Sequence, residues 1–414
     1  VALKRKDDPA MKILLFSSLY PSSVRPIFGV FVETRLRELL KSGKVEAKVV
    51  APVPWFPLRS PAFGEYALHA ATPRHEVRHG VEVFHPRYAL PPKIGMNVAP
   101  YTMALGALPT LRRLIADGFD FDLIDAHYYY PDGVAAMLLA RWLKKPFVVT
   151  ARGTDLNLIP QYPWPRKLIL QTANAASASI GVCQALMDTL ADMGADHSKL
   201  HALRNGVDLQ LFRPEDRIAA RQRLQLKPDA RYLISVGHLI ERKGHHIAID
   251  ALPSLPGVHL LVVGDGPDRA ALQAQAQRLG VSDRVRFTGA VAQTELPWWY
   301  SAADALVLCS SREGWANVLL EAMACGTPVL ATRIWGTPEV VTGRTAGRLL
   351  EDRSAAAMVD AWHALAADMP TRDETRRHAE LFSWDDTTQG QISLFQSIMQ
   401  TKSQPQSQQT RSRK

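Results

Sequence analysis

Residues 310–329 read SSREGWANVLLEAMACGTPV, and the fold turns on them. The apolar run just before them, 305–309, has the composition of a short buried strand. A polar loop follows, then helical periodicity, and residues 329–331 are again apolar and strand-like. Strand, loop, helix and strand in so few residues describe one βαβ unit of a parallel sheet. Gly326, Thr327 and Pro328 end the helix, as a small residue and a proline commonly do. The helix start leaves backbone N–H groups unpaired, which suits a diphosphate. Gly314 and Ala316 lack bulk, so an anion can approach the main chain here, beside Trp315, Asn317 and Val318. Glu313 falls in the loop and Glu321 two turns on, inside the helix. That spacing separates their tasks: one carboxylate can accept from sugar hydroxyls near the phosphate end, the other from a ribose. An isolated pair of acids is more commonly a cap and a solvent-facing charge; the small residues and the closing turn favour a ligand site.

The same alternation extends to both sides. Strands are expected at 232–236, 259–263 and 285–288, with helices at 245–252 and 268–279. Earlier, residues 12–17, 45–51, 81–85, 123–126 and 147–150 read as strands, with helices at 30–40 and 133–143. The predicted fold is α/β: two doubly wound, Rossmann-like domains facing each other across a cleft, because open parallel sheets bind ligands beyond their strand ends. The expected boundaries are 11–205 for the first domain and 206–380 for the second. A helix at 381–400 packs back on the first domain, and 401–414 forms a disordered basic tail. Residues 1–10 read as a dispensable leader before Met11.

A chain of 414 residues supports two such cores, and 47% hydrophobic with 21% charged residues is ordinary for a globular protein. Cys183, Cys309 and Cys325 show no paired spacing, which fits a reducing cytoplasm and excludes a disulfide or zinc framework. No apolar run reaches membrane-spanning length. The net charge of +9 suits phosphorylated substrates or anionic lipid; no nucleic-acid motif accompanies it, so nucleic acid is not an expected partner.

Further motifs surround the two glutamates: NGVD at 205–208, VGH at 236–238, RKG at 242–244, VGDGP at 263–267, FTG at 287–289 and WGTPE at 335–339. With them the chain resembles, from Met11 to about Met399, the retaining nucleotide-sugar glycosyltransferases of family 4, among them bacterial teichuronic-acid and exopolysaccharide enzymes. The family signature is two glutamates separated by seven residues, as Glu313 and Glu321 are. The resemblance implies a GT-B fold with a carboxy-terminal donor domain and an amino-terminal acceptor domain. It also implies retention of anomeric configuration and no required metal or cofactor, a UDP- or GDP-sugar being the co-substrate. In agreement, no Asp-x-Asp pair follows a strand.

Arg242 and Lys243 follow a strand and can neutralise charge as the bond to phosphate breaks; a solvated basic loop is the commoner meaning of such a pair. The family usually has arginine where His238 stands. Gly289 opens a loop that the resemblance sets near the nucleobase. Gly266 and its neighbours read better as a tight strand-to-helix turn than as a phosphate loop. In the first domain Gly29, near a helix start, allows close approach to phosphate and equally suits an ordinary turn; Arg25 is nearby. Arg152 stands where the family commonly has histidine. A guanidinium is no general base at neutral pH, so positioning or charge stabilisation is its expected task. Asp155 either orients Arg152, touches the acceptor or caps a helix. His127 ends a strand and is either a site residue or a satisfied core histidine. Trp298, Trp299 and Tyr300 are expected to pack.

The expected function is transfer of a hexosyl-type sugar from a nucleotide donor to a saccharide or polyprenyl-linked saccharide in bacterial cell-surface polysaccharide assembly. Residues 91–114 and 163–170 mix apolar with basic residues, suiting peripheral contact with the inner face of the cytoplasmic membrane and equally suiting ordinary loops. The rivals are a GT-B nucleotide-sugar epimerase, which needs no acceptor, a catalytically silent sugar-nucleotide binder, and a starch- or sucrose-type transferase.

Overall fold

The computed structural model describes residues 10–91 and 94–403. They form two compact units, one reaching Leu203 and resuming at Thr388, the other comprising Arg204–Thr387.

In the first unit the strands are β1 (Met11–Phe16), β2 (Val45–Val50), β3 (Val53–Pro54), β4 (His75–Arg78), β5 (Val81–Phe84), β6 (Arg87–Tyr88), β7 (Leu123–His127), β8 (Phe147–Ala151), β9 (Ala178–Gly181) and β10 (Leu200–Ala202). Eight of them make one sheet in the order β10-β9-β8-β7-β1-β2-β5-β4, parallel except for β4. Ile13, Leu14, Leu15 and Phe16 are fully buried, as expected of a parallel strand covered on both faces. Several elements escape the sequence pattern, among them β9, β10, the helix Gly95–Ala116 and β4. The helix Gly95–Ala116 runs through Pro100 and Pro109, residues that ordinarily argue against a helix interior. β4 is short, antiparallel and half exposed, with no apolar run to announce it.

The second unit carries β11 (Arg231–Val236), β12 (Val258–Val263), β13 (Val285–Gly289), β14 (Ala305–Leu308), β15 (Val329–Thr332) and β16 (Gly347–Leu350), ordered β13-β12-β11-β14-β15-β16 and parallel throughout. Numbered within the unit this is 3-2-1-4-5-6, the doubly wound order of dinucleotide-binding sheets. Leu233, Leu260, Val262, Val307 and Leu330 meet Ile249, Leu252 and Trp362 in its core.

The last helix, Trp384–Ser403, buries Ile392 and Phe395 among Met11, Ile13, Leu123, Val148 and Ile180 of the first unit. It runs through residues 401–403, where a disordered tail was expected to begin. The rest of that tail and the leader, residues 404–414 and 1–9, lie outside the described residues. No described helix is long and apolar enough to cross a membrane.

Candidate active site

The winding of the second sheet reverses between β11 and β14, which are hydrogen-bonded neighbours (Leu233 opposite Ala305, Ile234 opposite Leu306). The loops that follow these two strands are therefore adjacent at a topological switch point, where such sheets bind ligands. In chain order β12 and β13 separate the basic pair from the carboxylates; the sheet sets their strands side by side.

Lys243 ends the short turn Glu241–Lys243 after β11, and its Nζ donates to Glu313 Oε1 at 2.7 Å. Ser310 Oγ donates to the same oxygen at 2.7 Å. Arg242 Nη1 lies 3.7 Å from that oxygen but donates to Arg312 O at 2.7 Å, so it braces the loop and is the weaker partner of Glu313. Bonds to main-chain carbonyls lock the two loops: Ser311 N donates to Arg242 O at 2.8 Å, and the Arg353 side chain donates Nε to Cys309 O at 2.9 Å and Nη2 to Glu241 O at 2.8 Å. Glu313 is buried, while Lys243 and Arg242 keep some exposure. One carboxylate and two cations thus stand together beside the helix Asn317–Ala324, whose N-terminus has no side-chain cap. Its first turn begins at Asn317 and Val318.

His238 is exposed and donates Nδ1 to Asp265 O at 2.7 Å, which fixes its ring at the rim of β11 and β12. Gly289 accepts from Gly264 N at 2.9 Å, bringing its loop beside the same turn. Gly314 and Ala316 are buried between Glu313 and the helix. The Trp315 ring is 6.0 Å from Phe382 and buried, so its side chain packs. Tyr300 does more than the packing expected of it: its hydroxyl donates to Glu321 Oε2 at 2.9 Å. Burial raises the Glu321 carboxyl to about 7, the Tyr300 bond only partly opposing it.

A pH prediction follows from that carboxyl. The family resemblance gives Glu321 the ribose, and the charged form is the better acceptor for its hydroxyls, so nucleoside diphosphate binding is expected to tighten as pH rises through about 7 and to plateau above it. Glu321→Gln should remove this dependence and weaken binding to about the wild-type value at low pH; calorimetry with UDP and GDP from pH 5.5 to 8.5 checks both. The sign is opposite for stability: a raised carboxyl pKa favours the fold below the unfolded value near 4.3, an advantage lost as pH rises to about 7.

In the first unit the winding reverses between β1 and β7. His127, at the end of β7, is buried; its Nε2 lies 3.2 Å from Asp125 Oδ2 and its Nδ1 is bonded to Arg152 Nη2. Burial holds His127 down at about 4, outweighing the pull of Asp125, and also lowers Arg152 from its usual value. Arg152 follows β8 and stacks with its guanidinium carbon 5.5 Å from the Phe31 ring centroid. Asp155 accepts from the N–H groups of Tyr129 (2.9 Å), Arg152 (3.0 Å) and Gly153 (2.7 Å). Its carboxylate is engaged by the main chain of two loops, so it shapes the site instead of reaching outward. Gly29 has φ 72°, and a Cβ there would meet Leu19 O and lie 2.5 Å from Leu19 C. The loop's own backbone accounts for this glycine, the ordinary-turn alternative. Arg25 stacks on Phe28, its guanidinium carbon 3.6 Å from the ring centroid, and lies 3.4 Å from Glu65. It lines a cavity of about 260 Å³ with Tyr20, His69, His85 and Tyr88 beyond β1, β2 and β5.

Several contributors were not singled out from sequence. Ser310, at the strand end, donates to Glu313, and no sequence feature marks it for that contact. Asp132 carried no signal; it is fully buried and accepts from the Ser18 N–H and, at 3.0 Å, from the Ser18 hydroxyl, tying the β1 loop to the segment after β7.

Two sheets of doubly wound order, one with a carboxylate and two cations at its switch point, are features of the GT-B glycosyltransferases. The amino-acid comparisons agree. Residues 216–382 match the model for glycosyl transferases group 1, and residues 62–211 that for glycosyltransferase family 4. A glycosyltransferase assigned to teichuronic acid biosynthesis in Bacillus subtilis, TuaC, is 31% identical over 358 residues, covering 85% of this chain and 88% of that protein. The D-inositol 3-phosphate glycosyltransferase of Segniliparus rotundus is 34% identical over 221 residues, 50% of this chain and 48% of that enzyme. Among solved structures, sucrose-phosphate synthase from Thermosynechococcus elongatus superposes with TM-score 0.77 at 19% identity, covering 95% of this chain and all of the other. Anabaena HepE in complex with UDP and glucose gives 0.70 at 23%, covering 94% and 100%. The chain belongs to glycosyltransferase family 4 and has the GT-B fold.

Proposed function

We propose that the protein moves a hexosyl group, with retention and without a metal ion or cofactor, from a UDP- or GDP-sugar to a saccharide or polyprenyl-linked saccharide in bacterial cell-surface polysaccharide assembly. The observation that carries the proposal is the convergence of Lys243, Arg242 and Glu313 at the switch point of the second sheet, beside an uncapped helix. HepE, of the same fold, is known with UDP and with UDP-glucose. In the reaction the bond between the anomeric carbon and phosphate oxygen breaks and the acceptor hydroxyl attacks from the same face. The departing phosphate oxygen takes the hydroxyl proton. Lys243 and Arg242 stabilise the charge that grows on the diphosphate, Glu313 holds sugar hydroxyls and Glu321 the ribose. Cationic side chains at the diphosphate take the neutralising task a divalent ion has elsewhere, so a chelator leaves the rate unchanged. Arg152 positions or stabilises charge and takes no proton, since a guanidinium is no general base.

A lipid-linked acceptor at the cytoplasmic membrane face is supported by apolar side chains exposed on the first unit, Trp55, Tyr66, Ile94, Leu105 and Trp164, and by the exposed cations Arg59, Arg166 and Lys167 of the same unit, Lys167 lying 6.0 Å from the Trp164 ring. Aromatic and aliphatic groups mixed with cations suit an anionic bilayer surface. The test is a screen of UDP- and GDP-sugars by mass detection, with extracted lipid-linked saccharides in anionic vesicles as acceptors and EDTA present. Expected are a glycosylated lipid, free nucleoside diphosphate in equal amount, and enzyme that sediments with the vesicles. Donor isomerised without acceptor would instead support an epimerase, and no consumption of any donor would sink the transferase.

A further inference from the structure

Five polar side chains of the first unit form one continuous chain, buried except at its Arg152 end. Arg35, on the helix Val30–Lys41, donates Nε to Gln391 Oε1 at 3.0 Å and Nη1 to Leu203 O at 3.0 Å. Gln391, on the last helix, donates Nε2 to Asp125 Oδ2 at 2.9 Å. The same Asp125 oxygen meets His127 Nε2 at 3.2 Å, and His127 Nδ1 is bonded to Arg152. Arg35, Asp125, His127 and Gln391 are each at most 2% exposed, so no water competes for these bonds.

The donors and acceptors allow only one arrangement. A guanidinium can only donate and a carboxylate can only accept, so the Gln391 amide is oriented one way round. Asp125 requires the His127 proton on Nε2, which leaves the Nδ1 lone pair for Arg152. A neutral amide is also the fitting link between Arg35 and Asp125. A glutamate in its place would set a second carboxylate against Asp125, and an apolar side chain would remove the bond altogether.

We propose that Gln391 is a positioning residue for transfer: from the last helix it fixes Asp125, Asp125 fixes the His127 tautomer, and His127 aims the guanidinium of Arg152. The inference rests on the reading of Arg152 as part of the transferase site. It gives the last helix a chemical task beyond packing Ile392 and Phe395 into the core.

The test uses the full chain with Gln391→Leu and Gln391→Glu, the second retaining length, volume and an acceptor for Arg35. Three quantities are compared with wild type: kcat and acceptor KM for the donor found in the screen, UDP and GDP affinity by calorimetry, and the ring tautomer of His127 in 15N-histidine spectra, assigned with His127→Gln. Both variants are expected to lose about 10- to 100-fold in kcat, the scale of misplacing a group at the reacting centre. Nucleotide affinity should stay within about twofold, since Gln391 lies in the other unit, and His127 should depart from a pure Nε2–H form. If the Leu variant fails to fold, the Glu variant decides. Unchanged tautomer and kcat in folded variants, even with lowered thermal stability, would overturn the proposal. Absence of any transfer by wild type would sink the functional reading instead, and the tautomer measurement would still decide whether Gln391 positions His127.

Discussion

Lys243→Ala is expected to lower kcat/KM by about 100- to 1,000-fold, the usual loss when one preorganised donor to a developing anion is removed. The ammonium is well placed for this task. It sits 2.7 Å from Glu313 Oε1, on a turn hydrogen-bonded to the loop after β14, so little reorganisation is needed as charge moves onto the diphosphate. Most of the loss should fall on kcat, because the charge to be stabilised grows along the reaction coordinate. Arg242→Ala should cost only about 10-fold: its guanidinium is 3.7 Å from Glu313 and committed to the Arg312 carbonyl. Lys243→Arg should not restore the rate, because a planar fork cannot replace a compact ammonium in a partly buried site. The fold should tolerate the alanine, since Ser310 and Arg242 remain beside Glu313; a cost of about 1–2 kcal/mol is expected from losing one charge-assisted bond. Steady-state kinetics with melting curves separate the two effects. A rate within threefold of wild type would remove Lys243 from the chemistry.

How far this site could be read from the sequence depends on how local its parts are. Glu313, Gly314 and Glu321 share one loop and helix, so their spacing, with the small residues and closing turn around them, groups them in the sequence. Lys243 was legible as a cation after a strand, but its distance from Glu313 was not, because strand order is a tertiary property; only the sheet shows β14 inserted beside β11. The parallel strands were visible as buried apolar runs. The helix Gly95–Ala116 was hidden by Pro100 and Pro109, since packing overrode local propensity. Gln391 was silent for a stronger reason. It bonds to Asp125 across 266 residues of sequence, and a glutamine on an amphipathic helix has no periodicity that marks it as buried.

Gly244→Ala is expected to be about as damaging as loss of Lys243, by a different route. Gly244 has φ 74°, and a Cβ there would overlap Cys309 O, approach Cys309 C to 2.5 Å and Cys309 Cβ to 2.7 Å. Two of those atoms are backbone at the end of β14, so relief requires moving either the strand end or the turn that carries Lys243. Overpacking costs about 1–3 kcal/mol and a left-handed backbone about 1 more for a non-glycine residue. A loss of about 2–4 kcal/mol in the stability of the second unit follows, measurable by urea titration. Gly280→Ala isolates the backbone share: Gly280 has φ 64° and nothing within 4 Å of its added Cβ, so about 1 kcal/mol is expected there, with activity intact. If Gly244→Ala cost no more than Gly280→Ala, steric contact with β14 would not be what sets the turn. If it cost more and also reduced kcat/KM by about 100-fold in folded protein, the close approach of these two loops would be the feature that brings Lys243 to Glu313. The glycine then matters because it lets two strand ends touch, and the ligand need not touch it at all.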